Sequence, residues 1–259
     1  MPIIDIGAVR LNYLLEGRED APVLILSNSL GTNLGMWAPQ MPVLLDHFRV
    51  LRYDTRGHGQ SSVPPGPYAI AELGADVIAL MDHLDIQRAH FCGLSMGGMT
   101  GIWLGLNQPQ RLNKLILSNT AARIGPPESW NVRIEKVNNE GMASITQAVL
   151  DRWFTKDFQH GAARQVGMVE KMLLQMSPLG YTASCAAVRD MDLRDAVHGI
   201  KVPTMVIVGK ADRATPPLDG RFIASEIAGT TFVELQAAHL SNWEVAQAFT
   251  GQLVNFLND

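Results

Sequence analysis

A chain of 259 residues with 47% apolar side chains has ample material for a large core, which excludes general disorder. Its 21 basic and 25 acidic residues leave a formal charge of −4, so it lacks the basic footprint of a nucleic-acid binder. No apolar run approaches the ~18–20 residues of a membrane span, and residues 1–20 show no basic start followed by an apolar stretch, so the chain reads as cytoplasmic, with no membrane contact and no signal peptide.

Residues 3–16 form two short extended runs split by Gly7, the pattern of an N-terminal β-hairpin or edge pair. Residues 23–27 are an unbroken apolar strand of the kind buried on both faces of a parallel sheet. That strand empties into the polar loop Asn28-Ser29-Leu30-Gly31-Thr32-Asn33, ahead of Met36 and Trp37. A second central strand at 48–53 runs into Asp54-Thr55-Arg56-Gly57-His58-Gly59-Gln60-Ser61-Ser62, a loop punctuated by glycine. The spacing of Leu73, Val77, Leu80, Met81 and Leu84 predicts a helix over 70–84 with one core-facing stripe. Strands at 89–92 and 112–118 flank another helix, ended by Pro109. This alternation predicts an α/β fold with a doubly wound, mostly parallel sheet.

From residue 123 to 191 the pattern changes. Gly125-Pro126-Pro127 breaks the chain, and four or so helices follow at 130–138, 142–154, 162–176 and 181–191, with no strand among them. The expected organisation is a core of residues 1–122 and 192–259 with an inserted helical cap, 123–191. The alternation resumes with a strand at 202–208, a helix at 220–228, a strand at 231–235 and a last amphipathic helix at 243–257. Cys92 and Cys185 fall in different kinds of segment and read as two buried, reduced thiols. No metal-ligand spacing occurs, and no metal or organic cofactor is expected.

The chemistry centres on Gly93-Leu94-Ser95-Met96-Gly97, a G-x-S-x-G pentapeptide set between a strand and a helix. There the turn lifts Ser95 Oγ clear of the sheet and frees the Met96 N–H to meet an oxyanion. A serine hydroxyl needs a base, and the base an orienting group. His47, His58, His83 and His90 precede the serine, while His160 and His198 lie in or beside the cap. His239 directly follows a core strand, so it emerges at the same carboxyl edge as Ser95, where open α/β sheets collect ligands. Asp212, four residues after Val208, meets the same condition. Asp190, Asp192 and Asp195 precede their strand, and Asp219 lies further into the next helix. An incidental serine, a capping aspartate and a surface histidine would each be ordinary alone. In the order Ser…Asp…His they point to acyl transfer.

These residues resemble the α/β-hydrolases over the whole chain, and within them the 3-oxoadipate enol-lactonases. The similarity is carried by Asn28-Ser29-Leu30-Gly31-Thr32 with Met36-Trp37, by residues 54–61, by Cys92 to Gly98, by Gly209-Lys210-Ala211-Asp212-Arg213-Ala214-Thr215-Pro216-Pro217 and by Ala238-His239. The resemblance implies the α/β-hydrolase fold and a serine hydrolase that opens the lactone ring of 3-oxoadipate enol-lactone through an acyl-enzyme, in aromatic-compound catabolism. Aligning Asn28-Ser29 with the His-Gly of many relatives makes the Leu30 N–H the second oxyanion donor beside Met96, with Ser29 or Gly31 as the neighbouring alternatives.

A small-molecule lactone that carries a carboxylate calls for one cation in an apolar wall. At ~100° per residue, Trp130, Arg133, Ile134 and Val137 share one helix face, while Lys136 leans away with Glu135. Arg133 is therefore the choice of anchor, with Trp130 and Trp153 as candidate pocket walls. The alternatives are a snorkelling arginine and plain core tryptophans. Rival functions on the same scaffold are a short-acyl carboxylesterase and a C–C bond hydrolase. A non-catalytic ligand receptor is the rival of another class. Nothing in the chain indicates an oligomeric state.

Overall fold

The computed structural model of the protein describes residues 2–259. Short β-rich runs bounded by turn residues become β1 (Ile3–Asp5), β2 (Arg10–Glu16), β3 (Val23–Ser27) and β4 (Arg49–Tyr53). They are followed by β5 (Ala89–Leu94), β6 (Leu112–Ser118), β7 (Thr204–Gly209) and β8 (Thr231–Leu235). All eight share one sheet in the order β1-β2-β4-β3-β5-β6-β7-β8. β1–β2 and β2–β4 are antiparallel, and every later pairing is parallel. The chain reverses its winding at β3, so β3 and β5 lie side by side and a crevice opens beyond their carboxyl ends.

Side chains of the central strands alternate between two apolar clusters, as the two-residue strand period requires. Leu24, Leu26, Leu94, Ile116 and Ile207 join one cluster; Ile25, Leu51, Phe91, Leu117 and Val206 join the other. Of the stripe expected from the sequence, Val77, Leu80 and Met81 of α2 (Ile70–His83) join the second cluster and Leu84 packs against it, while Leu73 joins the first. α1 (Met41–Leu44) precedes α2, and α3 (Met96–Asn107) follows β5.

Five helices separate β6 from β7: α4 (Pro127–Glu140), α5 (Ala143–Trp153), α6 (Lys156–Gly161), α7 (Ala163–Leu174) and α8 (Pro178–Asp190). Their Trp130, Trp153, Leu173 and Tyr181 belong to the same apolar cluster as Leu26 and Leu94, so these helices pack onto one face of the sheet. The chain closes with α9 (Pro217–Glu226), α10 (Ser241–Glu244) and α11 (Ala246–Asn258).

Most boundaries shift by a few residues from the pattern-based expectation, with α4, α8 and α9 each beginning three residues early at a proline, and three further differences have a visible cause. β7 begins at Thr204, because Pro203 has no N–H for the ladder. α6 is an added turn and a half, capped by Thr155 Oγ1, which accepts the Phe158 N–H at 3.3 Å. The expected last helix splits at Val245, whose φ of −129° and ψ of 51° are not helical. Glu244, just before the break, holds the Ala238 N–H and the Thr155 hydroxyl with its two carboxylate oxygens. No helix among the described residues is long and apolar enough to cross a membrane.

Candidate active site

Ser95 sits between β5 and α3 with φ 58° and ψ −116°, a backbone that L-residues rarely adopt and that costs about 1–3 kcal/mol. The end of β6 and the loop after it hold it there. The Ser95 N–H donates to Ser118 O at 2.9 Å, and Thr120 Oγ1 donates to Ser95 O at 2.7 Å. The glycines are required by close approach. A Cβ on Gly93 would lie 2.0 Å from Gly97 O, and one on Gly97 would lie 2.2 Å from Ser27 O.

His239 and Asp212 reach the same carboxyl edge from β8 and β7. His239 Nδ1 and Asp212 Oδ2 are 2.8 Å apart, both residues being almost fully buried. Asp212 is an acceptor on every side. Its Oδ1 takes the Ala214 and Thr215 N–H groups at 2.8 and 2.9 Å, and Oδ2 also takes Thr215 Oγ1 at 2.8 Å and Asn119 Nδ2 at 3.0 Å. Burial pushes the Asp212 carboxyl upward, but His239, Asn119 and the Thr215 N–H outweigh it, and the net direction is down. An ionised Asp212 accepts the proton on Nδ1, which leaves Nε2 of His239 as the free lone pair. Trp153 stacks on the imidazole, with ring centroids 6.5 Å apart and planes at 24°.

Asn119 was not singled out by the sequence reading. It is fully buried at the end of β6, with φ 44°. Its amide nitrogen donates to Asp212, while its oxygen accepts Ser241 Oγ at 2.6 Å. The available signal is positional: Asn119 follows a core strand at the edge shared by Ser95, Asp212 and His239.

Ser95 and His239 open onto a cavity of about 490 Å³. Its walls include all three pocket candidates, Trp130, Arg133 and Trp153, together with Leu30, Tyr181 and Thr215. The Arg133 guanidinium lies over the Trp130 ring, 4.9 Å from its centroid. Two further charged groups in the wall, Arg152 and Asp219, were not proposed for the pocket. Partial burial and the neighbouring Arg133 and Arg213 pull the Arg152 pKa down. Among the described residues none of these three arginines makes an ion pair. Asp219 is raised to about 6 by its burial and by the charge of Asp212.

The loop after β3 distinguishes Leu30 from its neighbours. The Ser29 N–H meets Met36 Sδ at 3.2 Å, and the Gly31 N–H meets His58 Nε2 at 3.0 Å. Among the described residues the Leu30 N–H has no acceptor within the protein, nor has the Met96 N–H. Both face the requirement of an oxyanion hole, donors left unused by the ground state. No group of three or more His, Cys, Asp or Glu side chains among the described residues is arranged to hold a metal ion.

Comparison with known proteins agrees with this geometry. Residues 22–179 match the family model described as alpha/beta hydrolase fold. The chain is 46% identical to 3-oxoadipate enol-lactonase 2 of Acinetobacter baylyi, over 93% of this chain and 90% of that protein. It is 39% identical to 3-oxoadipate enol-lactonase 1 of the same organism, over 92% of this chain and 90% of that one. The crystal structure of the enol-lactonase from Burkholderia xenovorans superposes with a TM-score of 0.98 at 48% identity, with full coverage of both chains. The sheet order, the strained serine between β5 and α3, and these similarities together mean that the chain belongs to the α/β-hydrolase fold family, in the same branch as these enol-lactonases.

Proposed function

We propose that the protein is a serine hydrolase that opens the lactone ring of 3-oxoadipate enol-lactone to give 3-oxoadipate. Ser95 is the nucleophile, His239 the base and Asp212 its orienting carboxylate, with the Leu30 and Met96 N–H groups as the oxyanion hole. The observation that supports this substrate most is the Arg133 cation, without a carboxylate partner, in the wall of the cavity onto which Ser95 and His239 open. A lactone carrying a free acetate arm supplies the missing anion. The names of relatives at 46% and 39% identity favour the same substrate.

In the proposed reaction His239 Nε2 takes the Ser95 hydroxyl proton as Oγ bonds to the lactone carbonyl carbon. The oxyanion that forms is held by the Leu30 and Met96 N–H groups. Collapse breaks the bond between the carbonyl carbon and the ring oxygen. The electron pair stays on that oxygen, which His239 protonates to an enol. The leaving group remains tethered as the far end of the acyl chain. Water deprotonated by His239 then attacks the acyl-enzyme, Ser95 regains its proton, and the enol tautomerises to the ketone. Asp212 holds the imidazole in one tautomer throughout. In this reading residues 123–191 are a cap that supplies the cation and aromatic walls, residues 1–122 and 192–259 are the catalytic core, and the enzyme acts in the cytoplasm.

The test is a pair of steady-state assays on the purified protein, one with the enol-lactone and one with 4-nitrophenyl acetate. The expected kcat/KM ratio favours the lactone by ~10² or more, the worth of about 2.7 kcal/mol. Equal values would make the protein a generalist esterase. Turnover of neither, with no labelling of Ser95 by a fluorophosphonate, would leave a ligand receptor.

A further inference from the structure

We propose that His58 is a positioning residue of the oxyanion hole, because its Nε2 accepts the Gly31 N–H and so sets the turn that presents the Leu30 N–H. The inference rests on the reading of Leu30 as an oxyanion donor. It gives a role to the Asp54–Ser62 loop, a motif that the reaction above leaves unused.

The geometry dictates the state of the imidazole. His58 is 1% exposed, and each ring nitrogen has one partner. Nδ1 lies 3.1 Å from Arg56 O, which can only accept, so Nδ1 carries the proton. The Gly31 N–H, 3.0 Å from Nε2, can only donate, so Nε2 is the bare lone pair. Burial lowers the pKa of His58, which keeps this neutral tautomer in place even though Arg56 O and Asp54 pull the other way.

Both peptides flanking Leu30 are tied, the first by Thr32 and the second by His58. The carbonyl of the Ser29–Leu30 peptide accepts Thr32 Oγ1 at 2.8 Å and the Thr32 N–H at 3.2 Å. In a trans peptide the N–H points opposite to the carbonyl, so this pair of bonds aims the Leu30 N–H. The next peptide is held by His58, at a Gly31 whose φ is +85° and whose missing Cβ would meet Leu173 Cδ1 at 2.7 Å. The support behind His58 is itself rigid. The Arg56 Nε and Nη2 each donate to Asp76 at 2.7 Å, and Nη1 donates to Glu72 at the same distance. Asp54 accepts the Leu34 N–H at 2.7 Å and the Gln60 N–H at 2.9 Å, joining this loop to the segment after the oxyanion turn. The strut therefore runs from α2 through Arg56 and His58 to Gly31.

Two variants separate this role from general packing. In His58→Asn the amide reaches only the Nδ1 position, so the Gly31 bond is lost. In His58→Gln the amide oxygen reaches the Nε2 position and can accept it. An oxyanion donor acts on the transition state more than on bound substrate, and deleting one typically costs ~10²–10³ in rate. His58→Asn misdirects the donor without deleting it, so its kcat should fall roughly 10- to 100-fold with KM within about twofold. The fall should appear on both the lactone and 4-nitrophenyl acetate, and the affinity for a boronic acid that forms a tetrahedral adduct with Ser95 should drop in parallel. His58→Gln should recover most of the kcat. An unchanged kcat in His58→Asn, or no recovery in His58→Gln, would overturn the proposal. Should His58→Asn not fold, the ¹⁵N spectrum of the unmodified protein decides: a protonated Nε2 on His58 overturns it, and a bare Nε2 with protonated Nδ1 supports it. The underlying reading is tested separately by replacing the Leu30 amide with an ester, which removes that N–H and also weakens the Ser29 carbonyl as an acceptor for Thr32. An ester variant at full rate would sink the Leu30 assignment itself. A slowed ester variant beside an unimpaired His58→Asn would sink only the role of His58.

Discussion

Replacing Arg133 with methionine deletes the proposed carboxylate anchor and keeps most of its packing on Trp130. Two unit charges ~4 Å apart attract by about 4 kcal/mol at the effective dielectric of a partly solvated site. Arg133 is half-buried and shares its cavity wall with Arg152, whose cation stays behind in the variant. The net loss of transition-state binding should therefore be about 2 kcal/mol, or roughly 30-fold in kcat/KM for the lactone. The neutral 4-nitrophenyl acetate never uses the cation, so its rate should hold within about twofold. Removing the cation from the Trp130 face should cost a further ~0.5–1 kcal/mol of stability, which a melting curve reads as about 1–4 °C. If Arg152 shares the anchoring, Arg133→Met with Arg152→Met should lose far more lactone activity than either change alone. Equal losses on lactone and ester in Arg133→Met would refute the anchor and make Arg133 a packing residue of α4.

Ser95→Ala, His239→Ala and Asp212→Asn should each lower kcat by roughly 10⁴ or more, and the double variants should be little worse, because the three act as a unit; a folded Ser95→Ala with a tenth of the normal rate would contradict this. Asn119→Ala should reduce kcat by a smaller factor, about tenfold, since Asp212 keeps its Thr215 and Ala214 donors and loses one; an unchanged rate would show that Asn119 only packs. Burial pushes the Cys185 thiol up to about 12 and the Cys92 thiol higher still, so native protein should resist a thiol reagent that finds two free thiols after denaturation. Asp219, raised to about 6, binds its proton more tightly folded than unfolded, so its unfavourable contribution grows as pH rises through 4 to 6 and is complete above that. Asp219→Asn should therefore raise the melting temperature near pH 7, by the equivalent of about 1 kcal/mol after solvent screening, and leave it unchanged below pH 4; a gain only at low pH would reverse the argument.

The local parts of this protein are legible in its sequence. Val23 to Ser27 reads as a buried strand and 70–84 as an amphipathic helix because apolar periodicity and turn residues act over a few neighbours. The Ser95 turn reads in the same way through Gly93, whose missing Cβ answers to Gly97 a few residues on, whereas Gly97 answers to Ser27 on a neighbouring strand. The candidacies of Asp212 and His239 need one further step, that residues leaving successive parallel strands share an edge. Periodicity fails where a side chain with a distant partner interrupts a helix. Glu244 binds Thr155 across 89 residues, and the expected last helix breaks beside it.

Tertiary structure alone decides the remainder. Asn119 meets Asp212 across 93 residues and Ser241 across 122, so its place after a core strand puts it at the right edge without saying which side chain it supports. Arg152 looks like an ordinary exposed helix cation until α5 is packed beside α4 and the charge of Arg133 falls on it. The choice of Leu30 over Ser29 and Gly31 depends on which N–H groups find Met36 and His58. Chain-local rules determine the elements and the chemical types at their ends; partner identity, tautomer and field are set by residues that only folding brings within a few ångströms.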